Sequence, residues 1–344
     1  MGAEVETVEF NKQITPKLSV DLQIFIEHVF MEDFNRVFPA KHSYLFVNQE
    51  HLTDWDLAAM RDKTVTTLCK TNAGLRTLLD LRVDGKFVGF GNPIASPAVF
   101  SCTKKLPGCV VHIAGSSTQK GTTMLIEAWR THIEHAQLSI QPMLVITAFD
   151  FLGGSKVLFD YWRTLRPSRA DLPSLLMKLW PVHLPVPSFE CTGSIYLCRQ
   201  SLSPEVIQFI QAVGTIHACP SIIEGWGHSI DEARRSRSVA VVLDAPPMNE
   251  LVDHTCGIVV AASAGPPVQE IFPKRWTQYL PKNYFPPTFK TTCAALGDGL
   301  KQALEMREEG RMLLGDEAVR RSRLDAERFT SAVSQLFLMH LMMV

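Results

Sequence analysis

Two glutamates, Glu224 and Glu232, bracket a Gly-Trp-Gly loop in the stretch SIIEGWGHSIDEARR, residues 221–235, with seven residues between them. Apolar, strand-like residues precede the loop and a helical pattern follows it. A carboxylate at a strand's end, just ahead of a glycine turn, is placed to accept hydrogen bonds from hydroxyl groups, which sugars supply. Gly225 and Gly227 let backbone approach a ligand closely, while Trp226 packs or shields. The helix after them, starting near Ser229, points its free N–H groups back at the loop. Glu232 also has a purely structural reading: Ser229 to Glu232 spells a capping box, worth ~1 kcal/mol. Glu224 has no such reading.

A second candidate is GSSTQKGT, residues 115–122, between a strand and a helix. A phosphate-binding P-loop runs Gly, four residues, then Gly-Lys-Ser/Thr. Here Lys120 precedes Gly121, so the register excludes that motif. An anion is still favoured, because a helix start and its dipole attract negative charge and Lys120 adds a mobile cation. The structural alternative is a helix entry with a solvated lysine. A third candidate is DAPPMNELVD, residues 244–253, which puts Asn249 and Glu250 at the next strand-to-helix turn, with helix capping by Asn249 as the alternative.

These three turns need a scaffold that brings strand ends together. The N-terminal part alternates short apolar runs (LQIFIEHVF, YLFVNQE, VTTLCKT, KFVGFGN) with helical stretches (DWDLAAMRD, AGLRTLLDL). Such alternation predicts βαβ units and a parallel sheet. Residues 92–101, rich in Pro and Ser, read as a linker. The alternation then restarts: strands CVVHIAG, PMLVITAF, SIYLCRQ, TIHACPS, VAVVLDA and GIVVAA, with helices TTMLIEAWRTHIEHA, SPEVIQFIQAV and SIDEARRSR between them. Residues 151–190 read as a loop-rich insertion with one short helix, and 265–288 as a packed surface loop. TCAALGDGLKQALEMREEG and DAERFTSAVSQLFLMHL read as two final helices. The fold class is therefore α/β, with two doubly wound lobes, the first one smaller. The divisions expected are 1–98 for an N-terminal lobe, 99–325 for a C-terminal lobe and 326–344 for a last helix packing back on the first lobe. In such sheets ligands bind beyond the carboxyl ends of the strands, which is where all three candidates fall.

Composition removes other classes. With 344 residues, Lys+Arg 34 against Asp+Glu 35 and a formal net charge of -1, the chain lacks the basic footprint of a nucleic-acid binder. Its eight cysteines form no C-x-x-C pair, so neither a zinc knuckle nor a redox motif is read, and scattered thiols suit a reducing compartment. The first residues, MGAEVETVEFNK, lack a signal-peptide core, and the sixth residue is Glu rather than Ser or Thr, so the myristoylation pattern fails. No apolar run reaches the ~20 residues needed to span a bilayer. The expectation is a cytoplasmic protein with no integral membrane segment and no nucleic-acid partner.

Taken in order, HIAGSSTQKGTTMLIEAW, CPSIIEGWGHSIDEA and VVLDAPPMNELVDHTCGIVV resemble the C-terminal lobe of the retaining glycosyltransferases of family four, over about residues 108–261. The resemblance implies a GT-B fold, two Rossmann-like lobes facing a cleft, here with a reduced N-terminal lobe. It implies a nucleotide-diphosphate sugar, UDP- or GDP-linked, as co-substrate, with no further cofactor. By the family's pattern Glu224 contacts donor-sugar hydroxyls, Glu232 binds the ribose and Lys120 neutralises the diphosphate. Gly225, Trp226, Gly227 and His228 line the sugar-phosphate pocket, with Ser116, Ser117, Asn249 and Glu250 also on the donor side and Arg199 near the base. One departure stands out: the family often has an arginine where this chain has Ser116, and Arg199 or Lys70 are the cations that could compensate. Asn48, Glu50, His51, Lys70 and Thr71, at strand ends of the small lobe, are the acceptor-side candidates, each with a turn or cap reading beside it. No Asp-x-Asp cluster precedes the site, so no metal ligand is expected and transfer is read as metal-independent. The acceptor, whether glycan, lipid or protein, stays open. The alternative is a non-catalytic nucleotide-sugar or glycan-binding protein on the same fold.

Overall fold

A computed structural model of the protein describes residues 20–27, 40–91, 104–150, 155–171, 174–271, 280–281 and 284–341. The proposed linker at 92–101 lies outside them. The smaller sheet is all parallel and ordered β1 (Val20–Glu27), β2 (Ala40–Val47), β3 (Thr66–Cys69), β4 (Lys86–Phe87). Between β2 and β3 runs α1 (Asp54–Arg61), opened by a Thr53–Asp56 capping box in which each side chain bonds the other's backbone N–H. α2 (Asn72–Asp80) follows β3 and is capped by Thr71, whose hydroxyl accepts from Gly74 N–H at 3.0 Å.

The larger sheet has eight strands, in the order β12 (Gly257–Val260), β11 (Val239–Leu243), β10 (Gly214–Cys219), β5 (Leu106–Gly115), β6 (Met143–Ala148), β9 (Ile195–Cys198), β8 (Phe189–Thr192), β7 (Ser168–Ala170). Every residue of β6 and β11 is buried, as expected of parallel strands covered on both faces. The helices that follow its strands along the chain are α3 (Thr122–Ala128), extended by a π turn over Trp129–Ile133, α4 (Lys156–Thr164), α5 (Ser174–Leu179), α6 (Pro204–Val213), α7 (His228–Arg235), α8 (Met248–Leu251), α9 (Val268–Ile271), α10 (Cys293–Glu305) and α11 (Glu308–Leu341). A small antiparallel pair, β13 (Ser263–Ala264) with β14 (Phe289–Lys290), braces the segment after β12.

Two parts of the sequence reading need correction. The stretch 151–190 is not merely a looped insertion. It carries α4 and α5, with β7 between them and β8 after them, and these two strands extend the large sheet antiparallel. Gly193 and Ser194 make the two-residue turn into β9, with Gly193 at φ 57°, a hairpin signal that the prolines around it masked. The last two helices also divide elsewhere. α10 ends at Glu305, and α11 then runs unbroken for 34 residues, through the region read as a gap.

The chain enters the large sheet at β5, builds outward through β6 and β9, then returns to the other side of β5 to add β10, β11 and β12. The crevice between the carboxyl ends of β5 and β10 is thus the topological switch point, the place where open α/β sheets take ligands. The two lobes share one apolar cluster there: Tyr44, Phe46, Leu68, Val88 and Phe90 of the small lobe pack with Trp226 and the large-sheet core. α11 crosses the junction, its Phe329 ring 5.7 Å from that of Phe46.

Candidate functional site

The two loops flanking the switch point are built against each other. After β5, Ser117 accepts from Gln119 N–H and opens a single 3-10 turn, Thr118–Lys120. Gly121 then holds φ 70° before α3, and a side chain there would run into the carbonyl of Pro220 from the neighbouring loop. Only glycine satisfies both conditions. Ile222 N–H donates to Gln119 O at 2.8 Å, tying the loops by backbone. Beneath them His112 staples β5 to β10: Nδ1 donates to Ala218 O at 2.7 Å, and Nε2 accepts from Thr122 Oγ1 at 2.9 Å. Burial, with Lys120 nearby, brings the pKa of His112 down to about 4, so the ring stays neutral.

This frame sets Lys120 Nζ 2.6 Å from Glu224 Oε2. Glu224 is only 7% exposed, so the pair is largely out of water. Ser221 Oγ donates to the same oxygen at 3.1 Å, and Gly227 N–H donates to Oε1 at 3.1 Å. Burial opposes ionisation of Glu224, but Lys120 and these two donors outweigh it and hold the carboxyl below the ordinary range. Lys120 is raised in turn: burial works against its charge, and Glu224 and Glu50 more than restore it. The thiol of Cys219, at the end of β10, is pushed up to about 12 by burial and stays uncharged beside them.

Glu232 lies eight positions on, inside α7. The capping box read from Ser229 to Glu232 does not form. The N-cap stands two residues earlier, at Gly227 with φ 78°, so the helix starts at His228 with no side-chain cap. Glu232 instead accepts from Gln211 Nε2 at 2.7 Å, and its carboxyl is raised, chiefly by burial. Trp226 turns to the lobe junction, where Nε1 donates to Val47 O at 2.7 Å and the ammonium of Lys70 sits 3.9 Å from the ring centroid. His228 stacks edge-on against Trp226 and Phe90.

The small-lobe loop after β2 closes over this corner. Gln49 Nε2 donates to Gly225 O at 2.8 Å and Glu224 O at 3.4 Å. Tyr284 OH donates to Gln49 O at 2.7 Å. Glu50 accepts from Gln119 Nε2 at 3.0 Å and lies 3.2 Å from His51 Nε2, while Glu50 N–H donates to Asn48 Oδ1. So Asn48, Glu50 and Lys70 do meet the Lys120–Glu224 corner, whereas Thr71 acts as the cap of α2.

The third turn behaves differently. Glu250 reaches the small lobe, accepting from Arg76 Nη2 at 2.9 Å and from Asn72 N–H at 2.7 Å. Asn249 is not the cap of α8, a place held by Pro247; its amide donates to Asp244 Oδ1 at 3.0 Å. Arg199 stands apart as well. Its guanidinium lies 4.3 Å from the Phe159 ring centroid and 3.2 Å from Glu190, where it lines a cavity of about 460 Å³ with Phe149, Asp150, Leu197 and Gln200. Of the two compensating cations, Lys70 is therefore the one at the Glu224 loop. Sequence reasoning missed Gln49, Gln211, Arg76 and Tyr284. Among the described residues no three His, Cys, Asp or Glu side chains converge to hold a metal ion, and no helix is long and apolar enough to cross a membrane.

The architecture is that of the GT-B glycosyltransferases, two Rossmann-like lobes with the switch point of the larger one at their junction. Solved structures with this fold align along most of the chain. A trehalose-6-phosphate synthase studied with bisubstrate glycomimetics aligns with a TM-score of 0.60 at 12% identity, over 94% of this chain and 74% of that one. The UDP-forming α,α-trehalose-phosphate synthase of Burkholderia xenovorans, in complex with glucose-6-phosphate, gives 0.59 at 8%, over 92% and 73%. HepE of Anabaena, in complex with UDP and glucose, gives 0.54 at 15%, over 90% and 74%. No protein-family model matches the chain, and no curated protein matches it in sequence.

Proposed function

We propose that the protein transfers a glycosyl unit, with retention, from a nucleoside-diphosphate sugar to an acceptor hydroxyl. The observation that carries this reading is the Lys120–Glu224 pair at the β5–β10 switch point, with the start of α7 beside it. In the reaction the bond between the anomeric carbon and the β-phosphate oxygen breaks, and its electron pair stays on the phosphate. The acceptor oxygen bonds to the anomeric carbon from the same face, and its proton passes to the departing phosphate. The barrier lies in the charge that builds on the leaving group. Lys120 and the positive end of α7 meet that charge in a site screened from water, where fixed dipoles act most strongly. Because those groups do this work, the transfer is proposed to need no metal. Lys120 turns from Glu224 to the diphosphate, which frees a Glu224 oxygen for a sugar hydroxyl. Glu232 takes the ribose, and the cavity beside Arg199 takes the base. The UDP held by HepE and the hexose phosphate held by the Burkholderia synthase put UDP-hexoses and phosphorylated sugar acceptors first in any screen.

One observation favours a second reading, a non-catalytic binding protein. Lys120 and Glu224 already satisfy each other, Gln49 holds the backbone of Glu224 and Gly225, and Ser116 stands where the family's arginine is common. The test is release of nucleoside diphosphate from a panel of UDP-, GDP- and ADP-sugars, run beside calorimetry of the same donors. Turnover by the wild type that is lost in Glu224→Ala supports transfer. Donor binding without turnover for any acceptor supports the second reading, and no donor binding refutes both.

A further inference from the structure

Gln211 belongs to none of the motifs that the sequence brings forward, yet it touches the second glutamate of the pair. It sits near the end of α6, is 4% exposed, and its Nε2 donates to Glu232 Oε2 at 2.7 Å. The backbone of Gln211 is held as well, since its carbonyl accepts from the buried His217 Nε2 at 3.0 Å. His217 is kept neutral by burial, with a pKa of about 3, so this brace does not change with pH near neutrality. Glu232, for its part, has no capping duty, because α7 is entered through Gly227 and not Ser229. Among the described residues Gln211 makes the only hydrogen bond to the Glu232 carboxylate, and it takes one oxygen of the two. A carboxylate accepts at both oxygens. A neutral amide can thus hold one of them in place without cancelling the charge that makes the other a strong acceptor, which a lysine partner would do.

We propose that Gln211 is a positioning residue, which locks the Glu232 side chain through Oε2 so that Oε1 is presented to the ribose hydroxyls of the nucleotide. This rests on the nucleotide-sugar reading above, and it adds a determinant of sugar-backbone selectivity: the site selects ribo- over deoxyribonucleotides through a residue that never touches them. Loss of the amide leaves Glu232 free to rotate, and the reward for a correctly placed hydroxyl falls. Overall folding and phosphate contacts need not change.

The test is calorimetric titration of the full chain with UDP and GDP and with their 2′-deoxy and 3′-deoxy analogues. Wild-type protein is expected to bind the better ribonucleotide about tenfold or more tightly than its deoxy analogue, the usual worth of a hydrogen bond to a charged group. In Gln211→Met the preference should shrink to about threefold or less, with the deoxy analogue binding as it does to wild type. A purely structural residue would weaken both ligands alike. Should Gln211→Met fold poorly, Gln211→Asn, which withdraws the amide by one methylene, carries the same expectation. Wild type that binds nucleotide but shows no ribose preference, or a variant that keeps the preference, overturns the inference and leaves the glycosyltransferase reading standing. Wild type that binds no nucleotide brings down both.

Discussion

The turn after β10 and the turn after β11 each hold a carboxylate at the same edge of the large sheet, and they use it in opposite ways. Glu224 is drawn inward, with both oxygens bonded inside its own lobe by Lys120, Ser221 and Gly227. Glu250 reaches outward and clamps the small lobe at Arg76 and at the start of α2. One turn therefore assembles a charged corner, and the other helps to close the lobes over it. A strand-to-helix turn fixes where a carboxylate can stand; the partners that reach it decide what it does.

Four changes would break or sharpen that contrast. The largest effect is expected at the inward turn: Lys120→Ala should lower turnover roughly 10²–10³-fold, the usual range for removing one donor that faces developing charge. Steady-state kinetics on the best donor checks it, and wild-type-like rates would end the assignment of Lys120. Next comes Gly225→Ala. A methyl group there runs into Asn48 Oδ1 of the closing loop, so urea denaturation should show a loss of about 1–3 kcal/mol, as for other overpacked sites. The outward turn should matter less. Arg76 is 60% exposed at its side chain, so a double-mutant cycle of Arg76→Ala with Glu250→Gln should give a coupling of no more than about 1 kcal/mol. A coupling several times larger would mean that Glu250 is the chief lobe clamp.

The smallest effect concerns acid. The carboxyl of Glu224 lies below its ordinary value of 4.5 in the folded chain, so its stabilisation is fully present above that pH and is lost as pH falls through the lower folded value. Glu232 lies above 4.5, so the folded chain binds its proton more tightly, and stability declines as pH rises from 4.5 through the folded value. The two slopes have opposite sign. Urea midpoints followed through this range should therefore decline less with rising pH in Glu232→Gln than in wild type, and a steeper decline would reverse the assignment.

Much of the large lobe was legible because its signals are local. Short continuous apolar runs such as VAVVL and PMLVITA, closed by turn residues, read as covered strands, and Gly121 and Gly227, at φ 70° and 78°, mark turns that favour glycine. The contacts that complete the corner were not legible. Gln49 lies 176 positions before Gly225, and Tyr284 lies 235 positions after Gln49, so no window of sequence joins them. Ser229 failed as a cap for a different reason. Gly227 at φ 78° starts the helix early, and the preference of Ser for the cap gives way to the turn that precedes it. The alternative reading of Asn249 as a cap also fails, because Pro247 stands at that position before α8.

The central claim is that the corner formed by Lys120, Glu224 and the start of α7 receives a diphosphate. A crystal structure of the protein with bound nucleoside diphosphate tests it most directly. The account predicts the β-phosphate within hydrogen-bond distance of Lys120 Nζ and of the backbone N–H groups at His228 and Ser229, with Lys120 moved away from Glu224. A diphosphate bound elsewhere, with the 2.6 Å Lys120–Glu224 contact intact, would contradict it.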